Sequence, residues 1–267
     1  MKNFRNILIN SSILFVCAAT VQTTLHELGH FAAALVIHAK NVTLHHNYVS
    51  ADTAGMPLSH TIFYSAAGPV VSLLIGLGFH LVCSCQKKRN VAFLFNLYMA
   101  VFGYIAFFGY LMVAPFFTYG DTGYIFAVLN FSVWLTASLA ITGGIVLYFV
   151  MRKLIRFFVQ MGTTSIIADK HLRRKLMNSL IQYPLYIGVL ITTLLNLPVP
   201  SVLSLLYPIC SPFSLMWVYG DALSGDYTAG DLNTDIGAVN RIQPVWVVVL
   251  FLIVVINRGL VGGVVVK

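Results

Sequence analysis

The chain has 267 residues, of which 58% are hydrophobic and 9% charged, with a formal net charge of +8 and a mean hydropathy of +0.85. A composition this apolar cannot be spread over the surface of a water-soluble globule of that length, so an integral membrane protein in a lipid bilayer is expected. The positive charge sits in short clusters flanking apolar runs, which marks membrane orientation and argues against nucleic acid as a partner.

Six apolar stretches approach or exceed the roughly 20 residues that a spanning helix needs: about 7–37, 61–83, 91–114, 122–150, 184–207 and 243–265. Backbone polar groups in lipid must be satisfied within the segment, and no ~10-residue alternating strands are present, so the expected fold is an all-α polytopic bundle. The first run begins like a signal peptide, but it continues unbroken to Ile37, beyond the apolar core of such a signal.

Within that run, Thr24–Leu35 reads TLHELGHFAAAL, and Glu27 is the only glutamate of the chain. His26 and His30 stand at i and i+4, which on a helix places both imidazoles on one face about 6 Å apart along the axis. That is the spacing of two zinc ligands, and Glu27 projects beside them, where it can act as a general base toward water. A His-Glu-x-x-His arises by chance in on the order of one such sequence in a thousand. Ionisable clusters inside a membrane span are costly enough that function is their default reading.

The segment 39–60 carries β-branched residues, an Asp, a Gly and a Pro, which suits a small strand-turn-strand insert at the membrane face. His38, His45, His46 and His60 lie on that side and read as loop histidines, and His80 and His171 have no assigned role. Cys17, Cys83, Cys85 and Cys210 form no recognisable framework, so neither a disulfide nor a metal site is expected of them.

Two histidines leave zinc short of a third protein ligand, and Asp121, in APFFTYGDTGYIF at the start of the fourth run, is the candidate. An Asp at a helix start also serves as an N-cap, a role partly exclusive of ligation. Asp221, Asp226, Asp231 and Asp235 compete for the same place from the 208–242 segment, which reads as an acidic outer loop. The basic segment 151–183 fits a helix lying on the inner leaflet. Counting charges assigns 14 of the 16 basic residues to one side, with Lys40 and Arg241 on the other. Both termini are then expected to be cytoplasmic, and the histidine pair to lie in the outer half of the membrane.

HELGH in the first helix, SAAGPVV at the start of the second and a Pro-then-Asp-Gly turn about 90 residues after the histidines resemble the site-2 protease family of intramembrane zinc metalloproteases. The likeness covers about residues 10–135. Residues 1–150 would then be a four-helix metalloprotease core, and 151–267 the remainder of a single membrane domain. The resemblance implies Zn2+ held by His26, His30 and Asp121, with Glu27 as the catalytic base. The substrate would be another membrane protein, cut in or near a transmembrane segment. The turn reads GDTG where the family has an LDG-type turn, Ser72 stands where its Asn after Gly-Pro is expected, and no PDZ-like insert is present. A non-proteolytic scaffold, or a transporter handling metal through the same cluster, are the alternative readings.

Overall fold

The computed structural model describes residues 4–227 and 239–266. It is an all-α membrane protein with six helices long and apolar enough to cross a bilayer among the described residues. The first, α1 (Phe4–Val36), is followed by an antiparallel hairpin, β1 (Lys40–Leu44) and β2 (Val49–Asp52), as the β-branched 39–60 segment suggested. Then come α2 (Leu58–Cys85), α3 (Val91–Val113), the short α4 (Asp121–Val128) and α5 (Val133–Val159).

The expected fourth span, 122–150, is two helices. Asn130 takes a left-handed conformation (φ 52°), and Ser132 caps α5 by accepting from the backbone N–H of Leu135 at 3.2 Å. Both are ordinary helix-stop and helix-start signals hidden in an apolar run. The true span is α5. It also absorbs the start of the expected leaflet-bound helix at 151–183, and the rest of that segment forms α6 (Thr164–Ala168) and α7 (Lys170–Met177). A π-turn over Asn178–Gln182 joins α7 to α8 (Tyr183–Leu195).

Small residues let the central helices approach. A Cβ on Gly103 of α3 would lie 2.4 Å from the backbone nitrogen of Gly76 on α2, so those two backbones touch. The core around α3 is aromatic: Phe15 packs edge-on against Tyr98 and Phe102, and the Tyr98 hydroxyl donates to the carbonyl of Leu180.

After α8 the chain does not form an outer loop. A 3₁₀ turn (Val202–Leu205), α9 (Leu206–Cys210), a second 3₁₀ segment (Ser211–Val218) and α10 (Tyr219–Ser224) carry it back along the bundle. Asp221 reaches Arg152 of α5 at 3.0 Å, and the Arg173 guanidinium of α7 donates to the carbonyls of Ala222 and Gly225. Asp221 therefore stands at the α1 N-terminal end of the bundle, not in an outer loop. Asp226 follows α10, and Asp231 and Asp235 lie outside the described residues.

The last helix, α11 (Pro244–Gly259), starts at that same end, where Asn10 donates to the carbonyls of Val239 and Arg241 at 2.8 Å each. It finishes at the hairpin end, where Arg258 donates to Leu197 O at 2.7 Å, and β3 (Val264–Val266) adds to β1 to make a sheet ordered β2-β1-β3. Phe4 and Val266 thus occupy opposite ends of the bundle, which corrects the expectation that both termini share one side. The error came from reading a span over 184–207 followed by an outer loop over 208–242, when α8 ends at Leu195 and 196–224 traverses the bundle. With that crossing counted, Arg241 moves to the α1 N-terminal end and Arg258 to the hairpin end.

A candidate metal centre

His26 and His30 lie on the inner face of α1, and both are buried. Each ring is oriented by a partner on α2. The Nδ1 of His30 donates to the carbonyl of Tyr64 at 2.8 Å. The Nδ1 of His26 donates to the Ser72 hydroxyl at 2.9 Å, and that hydroxyl donates onward to the Gly68 carbonyl at 3.0 Å. Gln22 also donates to Ser72, at 2.9 Å. A ring whose Nδ1 carries its proton has an Nε2 lone pair, and fixing the tautomer in this way is how ligand histidines are prepared.

Those two Nε2 atoms face each other at 3.2 Å. The Oδ2 of Asp121 completes a triangle, 3.0 Å from His26 Nε2 and 3.3 Å from His30 Nε2. Three lone-pair atoms at such distances repel unless a cation, a metal ion or protons, lies among them. The spacing suits a metal, since tetrahedral bonds of about 2.0–2.1 Å separate ligand atoms by roughly 3.3 Å. These three residues are a group able to hold a metal ion among the described residues.

Asp121 is not the N-cap it was weighed as: Gly120 occupies that position, and Asp121 is the first residue of α4 with its side chain turned to the histidines. Gly68 is the backstop of the site. A Cβ there would lie 2.2 Å from His30 Nε2 and 2.6 Å from His26 Nε2, in the space a bound ion would use. The Gly-Pro pair of the second helix thus has a spatial reason at Gly68. The ring of Tyr110 from α3 stacks on His26 at 5.2 Å between centroids.

Glu27 is buried and faces the same cavity of about 830 Å³, which holds the triad on one wall. Sequence reasoning missed the opposite wall. Asn196, Pro208, Phe213 and Trp217 line it, all from the crossing segment after α8. Irregular backbone at membrane depth is tolerated where it borders a cavity, and the density of Pro and Ser from 198 to 214 is the signal that was available. The hairpin roofs the cavity: His46 Nε2 and Asn47 Nδ2 donate to the carbonyl of Asn196 at 3.1 and 2.7 Å. His46, set aside as a loop histidine, is therefore a buried latch. Cys210 also borders the cavity, and its thiol is free.

No family model, curated protein or solved structure matches the chain.

Proposed function

We propose that the protein is an intramembrane zinc metalloendopeptidase of the site-2 protease type. The observation that carries this reading is the convergence of His26 Nε2, His30 Nε2 and Asp121 Oδ2 within 3.0–3.3 Å, with Glu27 adjacent. Two neutral imidazoles and a carboxylate are the borderline donor set that zinc takes, and three protein ligands leave a position open for chemistry. When bound, zinc supplies a Lewis acid that polarises a carbonyl and acidifies water.

The remaining work belongs to side chains. Tyr64 and Ser72 hold both rings with Nε2 inward, so the donor atoms are in place before any ligand arrives. Glu27 accepts the proton of the attacking water and returns it to the leaving amine. Glu27 is itself buried among the helices, which limits the solvent that competes for its carboxylate. A site set among membrane-spanning helices suits a transmembrane or membrane-adjacent segment of another protein as its substrate. Such a segment must be locally unwound, because a helix occupies its own carbonyls.

With the corrected chain path, Lys40 and Arg258 are the described basic residues at the hairpin end, while Arg5, Lys87–Arg89, Arg152–Arg156, the α7 cluster and Arg241 gather at the other. The α1 N-terminal end is accordingly the cytoplasmic one, and the hairpin faces outward. The experiment that tests the function is zinc analysis of purified protein combined with cleavage of membrane proteins by wild type and Glu27→Gln. Stoichiometric zinc in both and cleavage by wild type alone is expected; zinc-free protein, or equal cleavage by both, overturns the proposal.

A further inference from the structure

Three basic side chains gather around one aromatic ring at the end of the bundle where α1 begins. Phe157 of α5 lies edge-on to His80 of α2, 5.9 Å between ring centroids, and the Arg89 guanidinium stands 5.7 Å from the same Phe157 ring. Arg89 is held in place, 4.3 Å over the ring of Phe93 at the start of α3, and it donates to the carbonyls of Cys83 and Gln86. Lys153, one turn before Phe157 on the same face of α5, is near enough to act electrostatically on His80. The Nδ1 of His80 is engaged by the Tyr104 hydroxyl at 3.0 Å, which leaves Nε2 for another partner.

Among the described residues, no carboxylate pairs with Lys153 or His80: Asp221 is on Arg152 at 3.0 Å, and Asp169 caps α7. Bringing like charges together without a counter-ion is unfavourable, so the cluster suits an anion. Its height suits a lipid phosphate. The 28 residues of α2 and 27 of α5 make about 40 Å of helix each, around a hydrocarbon slab of ~30 Å, so roughly 5 Å protrudes at each end. His80 and Lys153 lie about 7.5–9 Å before the ends of their helices, at the boundary between acyl chains and headgroups.

We propose that His80, Arg89 and Lys153 form a binding site for the phosphodiester of an anionic phospholipid. Lys153 is exposed and the other two are half-buried, so the site opens outward. Toward the middle of the membrane the same surfaces are apolar: Leu77 on α2, and Val146 and Phe149 on α5, are exposed and offer a bed for an acyl chain. A choline headgroup carries its own cation and gains less from unbalanced positive charge. Basic groups between spanning helices on one side of a bilayer are the common form of such headgroup sites. This site is separate from the metal centre and does not depend on the endopeptidase reading.

The test is native mass spectrometry of the full chain in detergent, titrated with phosphatidylglycerol or with phosphatidylcholine of the same acyl chains. The first phosphatidylglycerol should bind at least about tenfold more tightly than phosphatidylcholine. Lys153→Gln with His80→Leu should lower the phosphatidylglycerol affinity about tenfold. Lys170→Gln, which removes an exposed lysine of α7 at the same end, should leave it unchanged. Glycerophosphoglycerol, the same headgroup without acyl chains, should not displace the lipid at equal concentration. Equal affinity for the two lipids, no loss in the Lys153→Gln, His80→Leu protein, or an equal loss with Lys170→Gln overturns the site and leaves only diffuse charge. Displacement by glycerophosphoglycerol overturns the lipid and shows a soluble phosphodiester to be the ligand.

Discussion

Gly68 Cα stands so close to the facing Nε2 atoms of His26 and His30 that a Cβ on it would lie 2.2 Å from His30 Nε2. This glycine is held by α2, whose Tyr64 carbonyl and Ser72 hydroxyl orient the same two histidines. One helix thus fixes both the direction of the two imidazoles and the free volume between them. Gly68→Ala should reduce zinc occupancy at least tenfold, because a methyl group would fill the coordination space. Gly78→Ala, on the same helix where a Cβ meets nothing within 4 Å, should leave zinc unchanged. Elemental analysis of the two purified variants checks this.

Ser72→Ala removes the acceptor for both His26 Nδ1 and Gln22 Nε2. Loss of such an outer partner typically weakens metal binding by 10–100-fold. Competition for zinc against a chelator of known affinity should show a loss in that range, and an unchanged affinity would mean that Ser72 does not orient the ring.

Much of this site was legible because its residues are close in sequence or carry unusual chemistry. HELGH announced two histidines one helical turn apart with a carboxylate beside them, and Asp121 stood out as a carboxylate at a helix start. The partners on α2 were not legible, since a backbone carbonyl such as that of Tyr64 leaves no residue-type signal. The far wall was missed for a different reason. Hydropathy windows detect regular spans, and the 196–224 crossing is built of short helical turns punctuated by proline, so it read as the end of a span to 207 and then a loop. That single error also misplaced Asp221, Arg241 and Arg258.

The corrected chain path is open to a direct check. Cys85, exposed at the end of α2, lies at the α1 N-terminal end, whereas Gly262 follows α11 at the hairpin end with open space around it. In a Gly262→Cys variant that also carries Cys210→Ser, a membrane-impermeant maleimide applied to intact cells should label position 262 and spare Cys85. Labelling of both or neither from one side would contradict the crossing after α8.

The His46 latch should respond to acid. Burial lowers the His46 pKa below the ordinary histidine value, with the Asn196 carbonyl opposing this and Arg258 and His45 adding to it. Its Nδ1 is buried without a partner, so a second proton has nowhere to bond. The folded state therefore binds the proton less readily than the open one, and the latch is at full strength above the ordinary histidine pKa of ~6.5 and weakens as pH falls below it. Hydrogen–deuterium exchange over the 45–48 turn, corrected for the intrinsic pH dependence of exchange, should accelerate between about pH 7 and 5, and His46→Gln should flatten that dependence.

The most direct measurement of the proposed chemistry is the appearance of new peptide termini in host membrane proteins reconstituted with wild-type or Glu27→Gln protein at equal zinc content. The proposed mechanism requires termini inside or beside transmembrane segments with wild type, and a reduction of at least about 10²-fold with Glu27→Gln, as loss of a general base entails. Equal cleavage by the two proteins, or none by zinc-replete wild type, would contradict it.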